Sequence, residues 1–251
     1  MQAIVSALAE QHDELASLVD GLDDHGWRHA TPCEGWDVAA VVLHLAQSDE
    51  IASASAAGRF SETIDALGGG DAAAGSVDDA VERLVASERA SEPRAIHDRW
   101  RRSAAALRDA LLHLDPHTRV RWVAGDMAAR TLATTRLAET WIHTQDVAAG
   151  LDVELEPPER IWHIARLAWR TVPYAFEREG GTPPAPVAFR LTGPDGTPWD
   201  LAPEGDAPNV ITGDAYELCL VAARRVPWRT TSLRGEGPDA DAILDMVRTW
   251  A

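Results

Sequence analysis

Apolar residues recur every three or four positions through most of the first 150 residues, a pattern that obliges a chain to pack helix against helix. The first such run, residues 1–22, holds Ile4, Val5, Leu8, Leu15, Leu18, Val19 and Leu22 on one side. A second, residues 37–57, carries Val38, Val41, Val42, Leu45 and Ile51, with Asp37 placed to cap its N-terminus. A third, residues 77–114, is interrupted at Glu92-Pro93 and resolves into a short helix followed by a longer one holding Ile96, Trp100, Leu107 and Leu111, which Pro116 closes. After a linker at residues 120–125, Asp126 can cap a fourth long helix that stops at Gly150. Four long helices with modest connections suit a bundle, the architecture in which facing helices build metal sites. Between the second and third runs, residues 58–75, with Gly68-Gly-Gly-Asp71, read as a flexible loop or a lid.

The pattern changes further on. Residues 159–179 form one more amphipathic helix with Ile161, Ile164, Leu167, Ala168 and Trp169, and from Thr182 the chain turns rich in Pro and Gly. Residues 187–191 and 199–201 flank a Gly193-Pro-Asp-Gly196 turn and read as a β-hairpin. Residues 210–212 and 230–234 suggest further strands, and residues 214–224 and 239–250 further helices. The expectation is an α+β chain: a helical domain over residues 1–181 and a small α+β domain over residues 182–251.

A net charge of −17 offers no basic face to a phosphate backbone, so nucleic acid is excluded as a partner. All 23 basic residues are Arg, which fits the codon bias of a GC-rich genome and removes lysine Schiff-base chemistry. The two cysteines, Cys33 and Cys219, lie far apart and suggest no disulfide framework, so a reducing cytoplasm is the expected setting. The opening residues lack a basic n-region, and no apolar run reaches membrane-spanning length.

Four ionisable residues, Arg136, Glu139, His143 and Asp146, follow one another at spacings of three, four and three, which places them on one helical face. Glu139 and His143, one turn apart, can aim at one point, as two metal ligands on one helix must. The alternative is a solvated ion pair, but Leu137, Trp141 and Ile142 beside them argue against a wholly exposed face. His44, on the otherwise apolar face of the second helix, supplies a third ligand, although a lone histidine there is more often a hydrogen-bonded core residue. Two His and one Glu leave a fourth position open, the arrangement of catalytic rather than structural zinc.

Thr31, Trp36 and His44, followed by Arg136, Glu139, His143 and Asp146 in that order, resemble the mycothiol-dependent maleylpyruvate isomerase-like proteins of the DinB-like metal-binding superfamily. The resemblance covers most of the chain. It implies a DinB-like four-helix bundle that binds one divalent ion, zinc with nickel or iron as alternatives, and works with a low-molecular-weight thiol such as mycothiol. It also implies a sterol-carrier-like C-terminal domain, in which Arg224-Arg225 or Arg229 can reach an anionic substrate or the thiol. It does not specify the substrate.

Around the ligands, Asp146 either accepts the second ring N–H of a ligand histidine or is a surface acid. Arg136 either orients the Glu139 carboxylate or holds an anionic substrate group. Gln47 and Ser48 read as pocket lining. Cys33 invites a role as nucleophile or fourth ligand, but the turn Thr31-Pro-Cys-Glu-Gly-Trp36 has a structural explanation that is preferred, and Cys219 reads as core. The ten tryptophans are read mainly as packing, and the remaining histidines are unassigned.

The expected function is a metal-dependent enzyme that activates a thiol for cis–trans isomerisation of, or S-transfer to, a small electrophile. The alternatives are a metal-hydroxide hydrolase or lyase with the same ligands, and a non-enzymatic small-ligand or metal-binding protein. Either a monomer or a homodimer is compatible with this reading.

Overall fold

The structure is a computed structural model that describes residues 1–67, 76–123 and 125–249. Nine helices and six strands are defined among them. The chain divides after Leu155 into two compact units.

The first unit is built on four long helices: α1 (Gln2–Val19), α2 (Val38–Ala56), α5 (Pro93–Leu112) and α6 (Ala129–Gly150). Between α2 and α5 lie the shorter α3 (Phe60–Ala66) and α4 (Val77–Glu88). Their ends follow local chemistry. Asp37 caps α2 by accepting from the Ala40 N–H at 2.9 Å, and Ser76 with Asp79 forms a reciprocal capping box at the start of α4. Pro93 opens α5 where a missing N–H costs nothing. The proposed loop or lid is a helix in its first part, α3; residues 68–75 of it lie outside the described residues.

α6 starts differently from expectation. Its N-cap is Ala128 and no side chain caps it. Instead, two short antiparallel strands, β1 (Arg119–Val120) and β2 (Met127–Ala128), lead into the helix where a linker was expected. The first helical N–H groups find backbone acceptors, Ala129 N to Thr118 O at 2.8 Å and Arg130 N to Pro116 O at 3.1 Å, so Asp126 is not needed as a cap.

Leu8, Leu15, Val41, Leu45, Trp100, Leu107, Leu132, Leu137 and Trp141 are all inaccessible to solvent. α6 is buried nearly all round, and among its buried residues are the polar Arg136, Thr140, His143, Thr144 and Asp146. A helix so enclosed must satisfy its polar groups against its neighbours. This requirement shapes the site.

The second unit contains α7 (Ile161–Arg178), whereas the boundary expected at residue 181 places that helix with the helical domain. Its stripe of Ile161, Ile164, Leu167, Ala168, Val172 and Ala175 is buried, and Trp169 Nε1 donates to Val187 O at 2.8 Å. An amphipathic stripe announces that a helix must be covered without saying by what. The sheet has the order β4-β3-β5-β6, from β3 (Val187–Thr192), β4 (Pro198–Leu201), β5 (Asn209–Asp214) and β6 (Arg234–Glu236). β3 and β4 form the expected hairpin, with Phe189 opposite Leu201, while β3 and β5 run parallel. α8 (Ala215–Ala222) and α9 (Ala240–Met246) complete it.

The strand expected at residues 230–234 begins only at Arg234. Before it, Trp228–Thr230 form a single 3-10 turn, and the hydroxyls of Thr230 and Thr231 donate to Pro227 O at 2.8 Å and Trp228 O at 2.6 Å. Such local bonds compete with a sheet ladder.

Candidate metal centre

The centre lies in the first unit and draws on three segments. α2 supplies His44, α6 supplies Glu139, His143 and Asp146, and the turn before α2 supplies Cys33 and Trp36. That turn is fixed by its own backbone: Trp36 N donates to Cys33 O at 3.0 Å, and Gly35 takes the positive φ of 77° that the third position of a type II turn requires. Thr31 Oγ1 ties the loop shut by donating to Trp36 O and accepting from Cys33 N, at 3.0 and 3.2 Å. The loop is moored to the end of α6. Ala30 O approaches so closely that a Cβ on Gly150 would lie 2.8 Å from it, which explains glycine there.

Glu139 Oε1 stands between the two histidines, 3.0 Å from His44 Nε2 and 3.5 Å from His143 Nε2. The donor atoms of His44, Glu139 and His143 all lie within 4.8 Å of one another. A tetrahedral ion with bonds of about 2.0–2.1 Å requires ligand atoms about 3.3 Å apart, so these donors fit one divalent cation with small adjustments. The histidines are buried, while the Glu139 side chain is 25% exposed and marks the side open to solvent. Trp36 walls the centre, its ring centroid 5.3 Å from that of His44 and 6.3 Å from that of His143. Its Nε1 donates to Glu82 Oε2 at 2.7 Å.

The charges are consistent with a site made for a cation. Burial works to raise the Glu139 carboxyl, but the hydrogen bonds from His143 and His44 outweigh it and hold the group well below the usual range. Burial works to lower His143, but Asp146, Cys33 and Glu139 together hold it well above its ordinary value. His44 is lowered, chiefly by burial, against the opposing pull of Glu139.

Asp146 occupies the supporting place. Its Oδ2 is 2.9 Å from His143 Nδ1, so that nitrogen donates to the carboxylate and Nε2 is left to face Glu139. The Asp146→Asn protein should bind its metal about tenfold to a hundredfold more weakly, as loss of such a partner does, with isothermal titration as the measurement; unchanged affinity removes Asp146 from this role.

Arg136 does something else. It is buried and forks onto Asp49 Oδ1 with Nε at 3.2 Å and Nη2 at 3.0 Å, and Nη2 also donates to Ser48 Oγ at 2.8 Å. Its bonds go to α2 and not to Glu139. Ser48 is thus taken up by Arg136, and Gln47 Nε2 donates to Leu84 O at 3.2 Å and Glu88 at 2.9 Å, so both serve helix contacts more than a pocket. Burial pushes Asp49 up to about 6, opposed by Arg136. Beyond it, His12 Nε2 lies 3.7 Å from Asp49 Oδ2, and Arg108 Nη1 donates to His12 Nδ1 at 2.7 Å. Burial, then Arg108 and Arg136, hold His12 well below its usual value, so its ring is neutral.

Cys33, for which the sequence favoured a structural role in its turn, lies beside the ligand histidine of α6. Its Sγ is 3.1 Å from Asp146 Oδ2 and 3.9 Å from His143 Nδ1. Cys219 is core, as expected, and burial pushes its thiol up beyond the usual range. Arg224 and Arg225 stand at the end of α8 in the second unit, where Arg224 Nη1 donates to Asp245 O at 2.7 Å and Arg225 Nη1 to Ala223 O at 3.0 Å.

Two histidines and one glutamate whose donor atoms converge in the core of a helical bundle form a candidate metal site. Residues 8–148 match the family described as the mycothiol maleylpyruvate isomerase N-terminal domain, and the chain belongs to that family. It is 33% identical over 250 residues to two uncharacterized proteins of Mycobacterium tuberculosis, covering 98% of this chain and 95% of each relative. The fold is that of a crystallised mycothiol-dependent maleylpyruvate isomerase: a histidine-to-alanine mutant of it aligns with a TM-score of 0.60 at 18% identity over 95% of both chains. A second structure of the enzyme aligns at 0.58 over 90% of this chain and 89% of that one, also at 18% identity. Among the described residues no helix is long and apolar enough to cross a membrane.

Proposed function

We propose that the protein is a metal-dependent enzyme that uses a low-molecular-weight thiol, mycothiol by family, to isomerise a small electrophilic enoate or to transfer sulfur to it. The observation that carries this reading is the convergence of His44, Glu139 and His143 on one point, with the outer nitrogen of His143 held by Asp146. The residues named would hold the ion, zinc by donor type with nickel or iron as alternatives. A divalent ion bound there supplies positive charge that favours thiolate over thiol near neutral pH.

The remaining chemistry belongs to thiol, substrate and chain. A thiolate adds to the enoate double bond, leaving a carbanion beside the carbonyl; rotation about the new single bond and expulsion of the same thiolate give the trans isomer and restore the nucleophile. If the adduct is instead protonated, the outcome is S-transfer. Trp36 limits water on one side, and the opening beside Glu139 is where a thiol and a small substrate enter. Glu139 keeps His44 and His143 aligned, and Asp146 holds the His143 tautomer.

Arg136 is committed to Asp49 and acts as a brace for α6 in this reading.

The test of the reaction class is the conversion of maleylpyruvate, or another cis-enoate, by metal-loaded protein with and without mycothiol. Turnover that requires both metal and thiol supports the reading. Turnover with metal alone assigns the hydrolase or lyase class instead.

A further inference from the structure

Across the His143 ring from Glu139, a second set of donors converges. Cys33 Sγ, His143 Nδ1 and Asp146 Oδ2 lie within 4.8 Å of one another, with separations of 3.1 Å for sulfur to carboxylate, 2.9 Å for carboxylate to nitrogen and 3.9 Å for sulfur to nitrogen. We propose that these three residues form a second, thiophilic metal site that competes with the first through the imidazole ring they share.

The geometry supports it on the same terms as the first site. Bonds of about 2.0–2.1 Å to nitrogen and oxygen and about 2.3 Å to sulfur set tetrahedral edges of about 3.3 Å between N and O and about 3.6 Å from S to either. The observed separations differ from these by roughly half an ångström or less, and Cys33 sits on a half-buried turn that can take up the change. The donor chemistry is distinct. A thiolate in the set selects soft and borderline cations such as cadmium, copper(I) or zinc, whereas the two imidazoles and carboxylate of the first site also suit nickel and iron. Occupation displaces the Cys33 S–H proton and the His143 Nδ1 proton that otherwise bonds Asp146, and both protons leave to solvent.

Sharing one ring has a consequence for the first site. An ion on Nδ1 removes the support that Asp146 gives the ring, and two dications on either side of one imidazole repel. Filling the second site therefore weakens binding at the first, and an excess of a soft cation acts as an inhibitor. None of this depends on which reaction the first site performs.

The test is titration of metal-free, full-length protein with cadmium in thiol-free buffer, reading the thiolate-to-cadmium charge-transfer absorption and the bound metal per chain. The expected result is a band that is abolished in Cys33→Ser, weakened at least about tenfold in affinity in Asp146→Asn, and retained in both His44→Ala and Glu139→Gln. Circular dichroism and cobalt binding at the first site verify that Cys33→Ser is folded, and Asp146→Asn gives an independent reading. Absence of a band at millimolar cadmium overturns the proposal. So does a band that survives Cys33→Ser, which assigns it to Cys219, or a band that disappears in His44→Ala and Glu139→Gln, which makes Cys33 an added ligand of a single centre. Loss of cobalt binding in those two variants with the cadmium band intact separates the two sites.

Discussion

Glu139→Ala protein is expected to lose stoichiometric binding of nickel, an ion suited to the first site, while its far-UV circular dichroism remains that of a helical bundle, and His44→Ala and His143→Ala are expected to behave alike. Among the described residues these three donors make up the first site's ligand set, so removing one leaves two, and the loss in affinity there should exceed the tenfold to hundredfold typical of a supporting residue. The fold should persist because it does not depend on the ion: Val41, Leu45, Trp100, Leu132, Leu137 and Trp141 of the bundle helices are fully buried apolar residues. Nickel analysis after loading with nickel and dialysis against a weak chelator is the measurement. Full occupancy in any one variant removes that residue from the set.

The second large effect concerns stability, and it lies one turn away. At pH 7.5, above the value of about 6 to which burial pushes its carboxyl, Asp49 is ionised and balances Arg136 in a region closed to solvent. Asp49→Ala leaves a buried guanidinium with no counter-charge beside it, at a cost of about 3–5 kcal/mol. Replacing the pair together, Asp49→Leu with Arg136→Met, should recover most of that loss, because a buried ion pair costs much to break and little to substitute whole. Urea unfolding of the single and double variants measures both. If Asp49→Ala unfolds at the native midpoint, Arg136 is not braced by Asp49, and its assignment to substrate or to Glu139 becomes the better one.

These two predictions divide what could be read from the chain. The four long helices were legible because Leu8 and Leu15, Val41 and Leu45, Ile96 and Trp100 repeat at helical spacing, and periodicity survives without knowledge of neighbours. Glu139 and His143 were legible for the same reason: one helix fixes their relation locally. His44 needed the family pattern to join them. Cys33 was not legible, since its place beside His143 and Asp146 arises from contact between segments more than a hundred residues apart. Asp49 and His12 left a fainter signal. Each lies four residues after a buried leucine, Leu45 and Leu8, on a face that is otherwise apolar, so a polar residue there had to be buried and partnered. The place of α7 was hidden because an amphipathic helix does not say which unit will cover it.

The central claim, an open metal position that receives the thiol, is tested most directly by the absorption spectrum of cobalt-substituted Cys33→Ser protein as mycothiol is added, the substitution ensuring that the only thiolate near the centre is the added one. The account predicts a thiolate-to-cobalt charge-transfer band that grows to saturation at one mycothiol per chain and is absent from His44→Ala. A cobalt spectrum left unchanged by saturating mycothiol would contradict it.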